Sequence, residues 1–187
     1  MDQYRIMILI AVSVAVALVA VISYFLARKR RSQQLRERFG PEYDRVLKKE
    51  GEIRRAEGVL ELRARRREKF QLRPIPASMS SDFAARWRTV QAQFVDDPRS
   101  AVTQADQLVN ELMEARGYPV ADFDQRAADI SVDHPVVVEN YRSAHEIALR
   151  HRRGQASTED LRQAMVHYRS LFDELLQDTL PERKVGA

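Results

Sequence analysis

The chain has 187 residues, 31% of them charged and 7% aromatic, with 6 glycines, 7 prolines and no cysteine. That balance excludes a disulfide framework, a thiolate metal site and a cysteine nucleophile, and it suits a helical protein better than a disordered or all-β one. The net charge of +4 is unevenly spread: residues 28–73 hold 17 Lys/Arg against 8 Asp/Glu, whereas residues 74–187 hold 13 against 18. The basic character therefore belongs to one early segment, and the later part is mildly acidic.

Taken in chain order, the first element is an uncharged run from Ile6 to Leu26, IMILIAVSVAVALVAVISYFL. As a helix rising 1.5 Å per residue it would reach about 31 Å, the depth of a bilayer core. It is too long for a cleavable leader, and its one A-x-A pattern, Ala15-Val16-Ala17, lies mid-run. The expectation is a single transmembrane anchor over residues 1–27. Arg28, Lys29, Arg30, Arg31, Arg36 and Arg38 follow it and are expected at the membrane surface, where anionic lipid headgroups attract basic side chains. The same bias predicts a cytoplasmic C-terminal part, by the positive-inside rule. Small residues spaced four apart, Ala11/Ala15 and Ser13/Ala17, would let two anchors pack closely, though such residues are common in apolar helices.

Residues 28–73 read as a basic juxtamembrane helical stalk. Gly40-Pro41 breaks it, and a second helix is expected from Pro41 to about Phe70. Phe39, Val46, Ile53 and Leu60 recur every seven residues, but their companions Tyr43, Glu50, Glu57 and Ala64 are only half apolar, which is poor for a coiled coil. The run Arg63 to Lys69 has the charge of a phosphate reader, yet Glu61 and Glu68 oppose it and no binding motif surrounds it, so nucleic acid is disfavoured. Two prolines and three serines mark residues 74–81 as a linker.

Residues 82–180 carry repeated helical stripes, followed by a tail over 181–187. Phe83, Trp87, Val90 and Phe94 form one; Ala101, Ala105, Leu108 and Leu112 another; Val137, Tyr141, Ala144 and Ala148 a third; Leu161, Met165, Tyr168, Phe172 and Leu175 the last. Phe123, Ala127 and Ile130 suggest a shorter helix between. Asp97-Pro98 and Asp133 with Pro135 look like helix starts, Ser157 with Asp160 like a capping box, and Gly117 and Gly154 like helix ends. The predicted fold is all-α: one transmembrane helix, a basic juxtamembrane helix, then a bundle of four longer helices and one short one.

No pattern for chemistry stands out. His134, His145, His151 and His167 lack metal-ligand spacing, and no Glu-x-x-His, phosphate loop or nucleophile elbow occurs. Neither Asp96-Asp97 nor Asp173-Glu174 would converge on one point, since helix neighbours in sequence face apart. No enzyme activity, metal or cofactor is expected. The segment GYPVADFDQRAADISVDHP, from Gly117 to Pro135, is richly punctuated for a connector, and Tyr118, Asp122, Asp124 and Arg126 are its candidate interaction surface.

Several segments resemble uncharacterised bacterial proteins that pair an N-terminal anchor with a C-terminal helical domain: LRERFGPEYD (35–44), FVDDP (94–98), GYP (117–119), DFDQRAADISVDHP (122–135) and STEDLRQAMVHYR (157–169). The resemblance implies a bacterial inner-membrane setting and carries no activity or functional residue. The leading expectation is a non-enzymatic, membrane-tethered module for an unidentified protein partner. A structural homo-oligomer joined through anchor and stalk, or a small-ligand sensor within the bundle, are the alternatives.

Overall fold

The computed structural model describes residues 2–177, the side chains of residues 2, 5, 6, 8–12 and 14 excepted. The tail over 181–187, and the last residues of the expected bundle, lie outside the described residues. Eight helices and no strand occur among those described. They are α1 (Asp2–Phe39), α2 (Pro41–Glu50), α3 (Ile53–Arg67), α4 (Ala77–Gln93), α5 (Pro98–Arg116), α6 (Phe123–Ile130), α7 (Val138–Arg152) and α8 (Thr158–Gln177).

The expected transmembrane anchor is corrected. Among the described residues no helix is long and apolar enough to cross a membrane. The uncharged run does not form a helix of its own: α1 continues unbroken through Arg28–Arg31 to Phe39. Part of the run, including Ile6, Ile8 to Val12 and Val14, has side chains outside the described residues. The described side chains of the run include the unbroken stretch from Ala15 to Leu26. Its side chains are exposed on every face of α1.

The other end of α1 is locked into the protein. Leu35 and Phe39 are buried with Tyr43 and Val46 of α2, with Ala56, Leu60 and Ala64 of α3, and with Val132. Gly40 and Pro41 break the chain as expected, but the helix after them stops at Glu50. Gly51 adopts φ +72°, a left-handed conformation open to glycine, and its N–H caps the Leu47 carbonyl. The expected single stalk helix is thus a hairpin, α2 folding back on α3. That reversal explains the seven-residue repeat: Phe39, Val46 and Leu60 are buried, whereas Ile53, the first residue after the turn, is 46% exposed.

The larger core lies in α4–α8. α8 packs against both α5 and α7, α4 lies on α5, and α6 touches α7 and α3. Trp87 of α4 stacks on Phe172 of α8 with ring centres 4.6 Å apart. The bundle of four longer helices and one short one is as expected, and its caps follow the sequence in most places. Asp97 accepts a hydrogen bond from the Ser100 N–H at 3.1 Å. Asp122 accepts from the Gln125 N–H at 2.9 Å. Ser157 and Asp160 bond reciprocally at 2.9 and 3.1 Å. The exception is Asp133-Pro135, which starts no helix; α7 begins only at Val138.

Residues 68–76 have no helix but are not loose. Phe70, Leu72 and Ile75 pack on the bundle core, and the Arg73 N–H donates to the Arg116 carbonyl at 3.0 Å. Gly117, at φ +92°, passes so close that an added Cβ would meet the Gln71 carbonyl oxygen at 2.5 Å.

Candidate functional site

Two polar regions set the hairpin and α1 in place, and a third lies inside the bundle. The first is an ionic seam between the hairpin and α6–α7. Glu42, 2% exposed, accepts from Arg142 at 2.7 and 2.8 Å and from Arg63 at 2.7 Å. Arg63 also donates to the Ser131 hydroxyl at 3.2 Å. Beside it Arg66 donates to the buried Asp129 at 3.0 Å, and Gln125 to the same oxygen at 2.8 Å. Arg67 and the Tyr118 hydroxyl both reach Asp133 Oδ2, the tyrosine at 2.9 Å. At the edge, Arg45 pairs with the exposed Glu139 at 2.9 Å. Burial of this kind is costly unless each charge is met, and here a carboxylate is met by two guanidiniums.

The second region lies where the exposed part of α1 reaches the hairpin. Tyr24, Arg28 and Arg31, spaced 4 and 3 apart on α1, face Arg54 and Gly58 of α3 across a shallow groove of about 370 Å³. A neighbouring groove of about 470 Å³, which shares Arg28, is lined by Phe25, Lys29 and Arg36 on α1 and by Ile53 on α3. Arg31 pairs with Glu61. Glu57 lines both grooves, and one of its oxygens accepts from Tyr43 at 3.1 Å. No described carboxylate lies within ion-pair distance of Arg28 or Arg54.

The third region is a network inside the bundle. Tyr168 donates to Asp106 at 2.9 Å and Tyr141 to Asn110 at 3.2 Å. The His145 ring stacks on Phe123 at 3.6 Å, nearly parallel. Burial pushes the Tyr141 hydroxyl up to about 12 and raises Tyr168 further, with Asp106 adding to the rise. Burial also holds His145 below its ordinary value. Phenols that resist ionisation and a histidine held neutral make poor proton shuttles near neutrality, so the network braces helices. His167 Nδ1 lies 3.0 Å from the Asn140 side-chain oxygen and His134 Nδ1 lies 3.3 Å from Glu174. Among the described residues no three metal-ligating side chains converge.

The residues singled out from sequence fall as follows. Arg28 is half-buried at the grooves, and Lys29, Arg30, Arg31, Arg36 and Arg38 are exposed. Arg36 lies over the Tyr43 ring at 4.9 Å and Arg38 near Phe39 at 6.0 Å. Tyr118 is not a surface group: it is 4% exposed and tied to Asp133. Asp122 is a helix cap, Asp124 is exposed and Arg126 is half-buried. The segment from Gly117 to Pro135 is thus divided: Tyr118, Ala127 and Ile130 join the bundle core, while Asp129, Ser131, Val132 and Asp133 meet the hairpin. Sequence reasoning missed Glu42, Arg63, Asp129 and Arg142; Glu42 and Arg142 stand 100 residues apart, so no local spacing links them. Glu42 and Arg63 flank the apolar stripes of α2 and α3, whereas Asp129 and Arg142 lie off the stripes of their helices and gave no signal.

No family model matches the chain, and no curated protein or solved structure is similar to it.

Proposed function

We propose that the chain is a non-enzymatic interaction module that associates with lipid through the exposed apolar part of α1. One observation carries this. Val16, Leu18, Val19, Val21, Ile22 and Leu26 are each at least half exposed around one helix, with no cover from the other described residues. Large contiguous apolar surface in water marks a site of association. Its flank is basic, which favours an anionic surface, and α1 runs without a break into the buried hairpin, so whatever holds the helix also holds the bundle. The bundle, on the mildly acidic side of the charge divide, is then the part presented to a protein partner. On this reading the body lies on the cytoplasmic face of the membrane, the inner one in the bacterial setting that the resemblance implies.

The test is flotation of the full chain with phosphatidylglycerol-containing vesicles, beside a Val19→Asp/Ile22→Asp variant. The wild type should rise with the vesicles and the variant should stay behind. Equal flotation of both would sink the proposal. A wild type that ignores vesicles but forms a concentration-dependent dimer would instead make a second copy of α1 the cover.

A further inference from the structure

We infer that the groove between α1 and α3 is a cradle for the phosphate headgroup of an anionic phospholipid, a step that rests on the lipid association proposed above. Three features of the groove meet this ligand. Its walls carry Arg28 and Arg54, on facing helices, with no described carboxylate in ion-pair distance. Guanidinium groups present paired donors that match phosphate oxygens. Its mouth carries Tyr24, next to Phe25 and Leu26, each more than half exposed, where the apolar part of α1 begins. Aromatic rings favour the layer between headgroups and acyl chains, so a phosphate in the groove would have its chains leave along α1.

The third feature is the floor. Gly58 sits inside α3 with no positive φ, and a Cβ built there would meet nothing within 4 Å. Neither backbone conformation nor close packing calls for glycine, and a glycine inside a helix is destabilising relative to alanine. What it does is leave the groove open between Arg28 and Arg54. Glu57 also lines the groove, but one of its oxygens is engaged by Tyr43, and Glu61 is paired with Arg31, so the basic side chains outnumber the carboxylate that faces them.

Flotation of the full chain is compared on phosphatidylcholine vesicles with and without phosphatidylglycerol. Three variants join the wild type: Arg28→Gln/Arg54→Gln, the off-groove pair Arg30→Gln/Arg38→Gln, and Gly58→Leu. Each basic side chain near an anionic surface is worth about fivefold in affinity, so either double variant loses up to roughly 25-fold by charge alone. The groove pair should lose about tenfold more than the off-groove pair, because its bonds to phosphate go as well. Gly58→Leu changes no charge, yet by filling the groove it should cut the preference for phosphatidylglycerol about tenfold. It should also keep or raise the melting temperature, since it relieves a helix-interior glycine. Equal losses in the two pairs, with Gly58→Leu unchanged, would overturn the cradle and leave only diffuse attraction. A wild type that floats equally on both vesicles would overturn the cradle while lipid association stands; one that floats on neither would overturn both. If soluble glycerol phosphate raised the melting temperature of the full chain in detergent, Gly58→Leu abolished that rise, and the wild type showed no preference for phosphatidylglycerol vesicles, the occupant would be a soluble phosphate and the lipid source would be refuted.

Discussion

Replacing Glu42 by alanine should undock the hairpin more than any single apolar change at its surface. The substitution leaves Arg63 and Arg142 facing each other with side-chain exposures of 17% and 11%. Removing one partner of a buried ion pair costs about 3–5 kcal/mol, chiefly because the orphaned charges stay buried. Arg63 keeps the Ser131 hydroxyl, and Arg142 keeps Glu139 at 3.5 Å, so the lower end, about 3 kcal/mol, applies here. The full chain is unfolded by urea in mild detergent. A loss of that size moves the midpoint by about 1–3 M, for slopes of 1–3 kcal/mol per molar. Trp87 is the only tryptophan and is stacked on Phe172, so its fluorescence follows the bundle, whereas circular dichroism follows every helix. In the variant the dichroism should fall before the fluorescence, as the hairpin leaves first. Glu42→Leu/Arg63→Met/Arg142→Met should then recover to within about 1 kcal/mol of the wild type, because apolar replacement of a whole ionic group is nearly neutral. A midpoint unchanged in Glu42→Ala, or a triple variant as weak as the single one, would refute this account of the seam.

Gly117→Ala should destabilise by about 1–3 kcal/mol in the same titration, since it places a Cβ against the Gln71 carbonyl at a left-handed φ. Gly58→Ala should stabilise by about 0.5–1 kcal/mol, and a loss there would mean the groove floor is packed after all. Because burial lowers the His145 pKa, its contribution is fully present above the unfolded value of 6.5 and is lost as the pH falls through 6.5 towards the folded value. Thermal melts from pH 7.5 to 5 should therefore decline less steeply in His145→Gln than in the wild type. Tyr118, Tyr141 and Tyr168 all ionise later in the folded protein, so stability is complete below pH 10 and falls as pH rises past it. The ultraviolet signal of their phenolates should appear with unfolding; appearance while dichroism is still intact would contradict their burial.

Local rules made the bundle legible. Apolar stripes, the Asp97-Pro98 start, the Ser157/Asp160 box and the Gly117 and Gly154 ends each depend on a few neighbouring residues, and each marks a helix or its boundary. The hairpin was harder, because the residue that makes it is Gly51, and a glycine in a helical pattern reads equally as a weak point or a turn. The anchor was misjudged by the same local logic. Length and lack of charge were read over the run alone, while the helix that contains it carries on into the protein. The seam was out of reach. Asp133 looked like a cap because Pro135 follows, yet its carboxylate is taken by Arg67 and Tyr118 from elsewhere in the chain. Tyr118 looked exposed because turns are exposed as a rule, and it is buried because it joins the bundle core, edge-on to the Phe70 ring.

The chemistry of the seam bears on why the chain has two cores and not one. An apolar contact between the hairpin and the bundle would hold at least as well, so stability alone does not account for the ions. Glu42 held by Arg142 through two oxygens, with Arg63 on one of them, admits a single rotation of α2 against α7. Arg66 on Asp129 and Arg67 on Asp133 add two further fixed points along α3. Three points that do not share one partner define an orientation. Since α1 enters the hairpin core at Leu35 and Phe39, that orientation is also the angle between the exposed helix and the bundle. The direction in which the bundle faces is therefore set by the ion pairs, and the apolar hairpin core transmits it to α1.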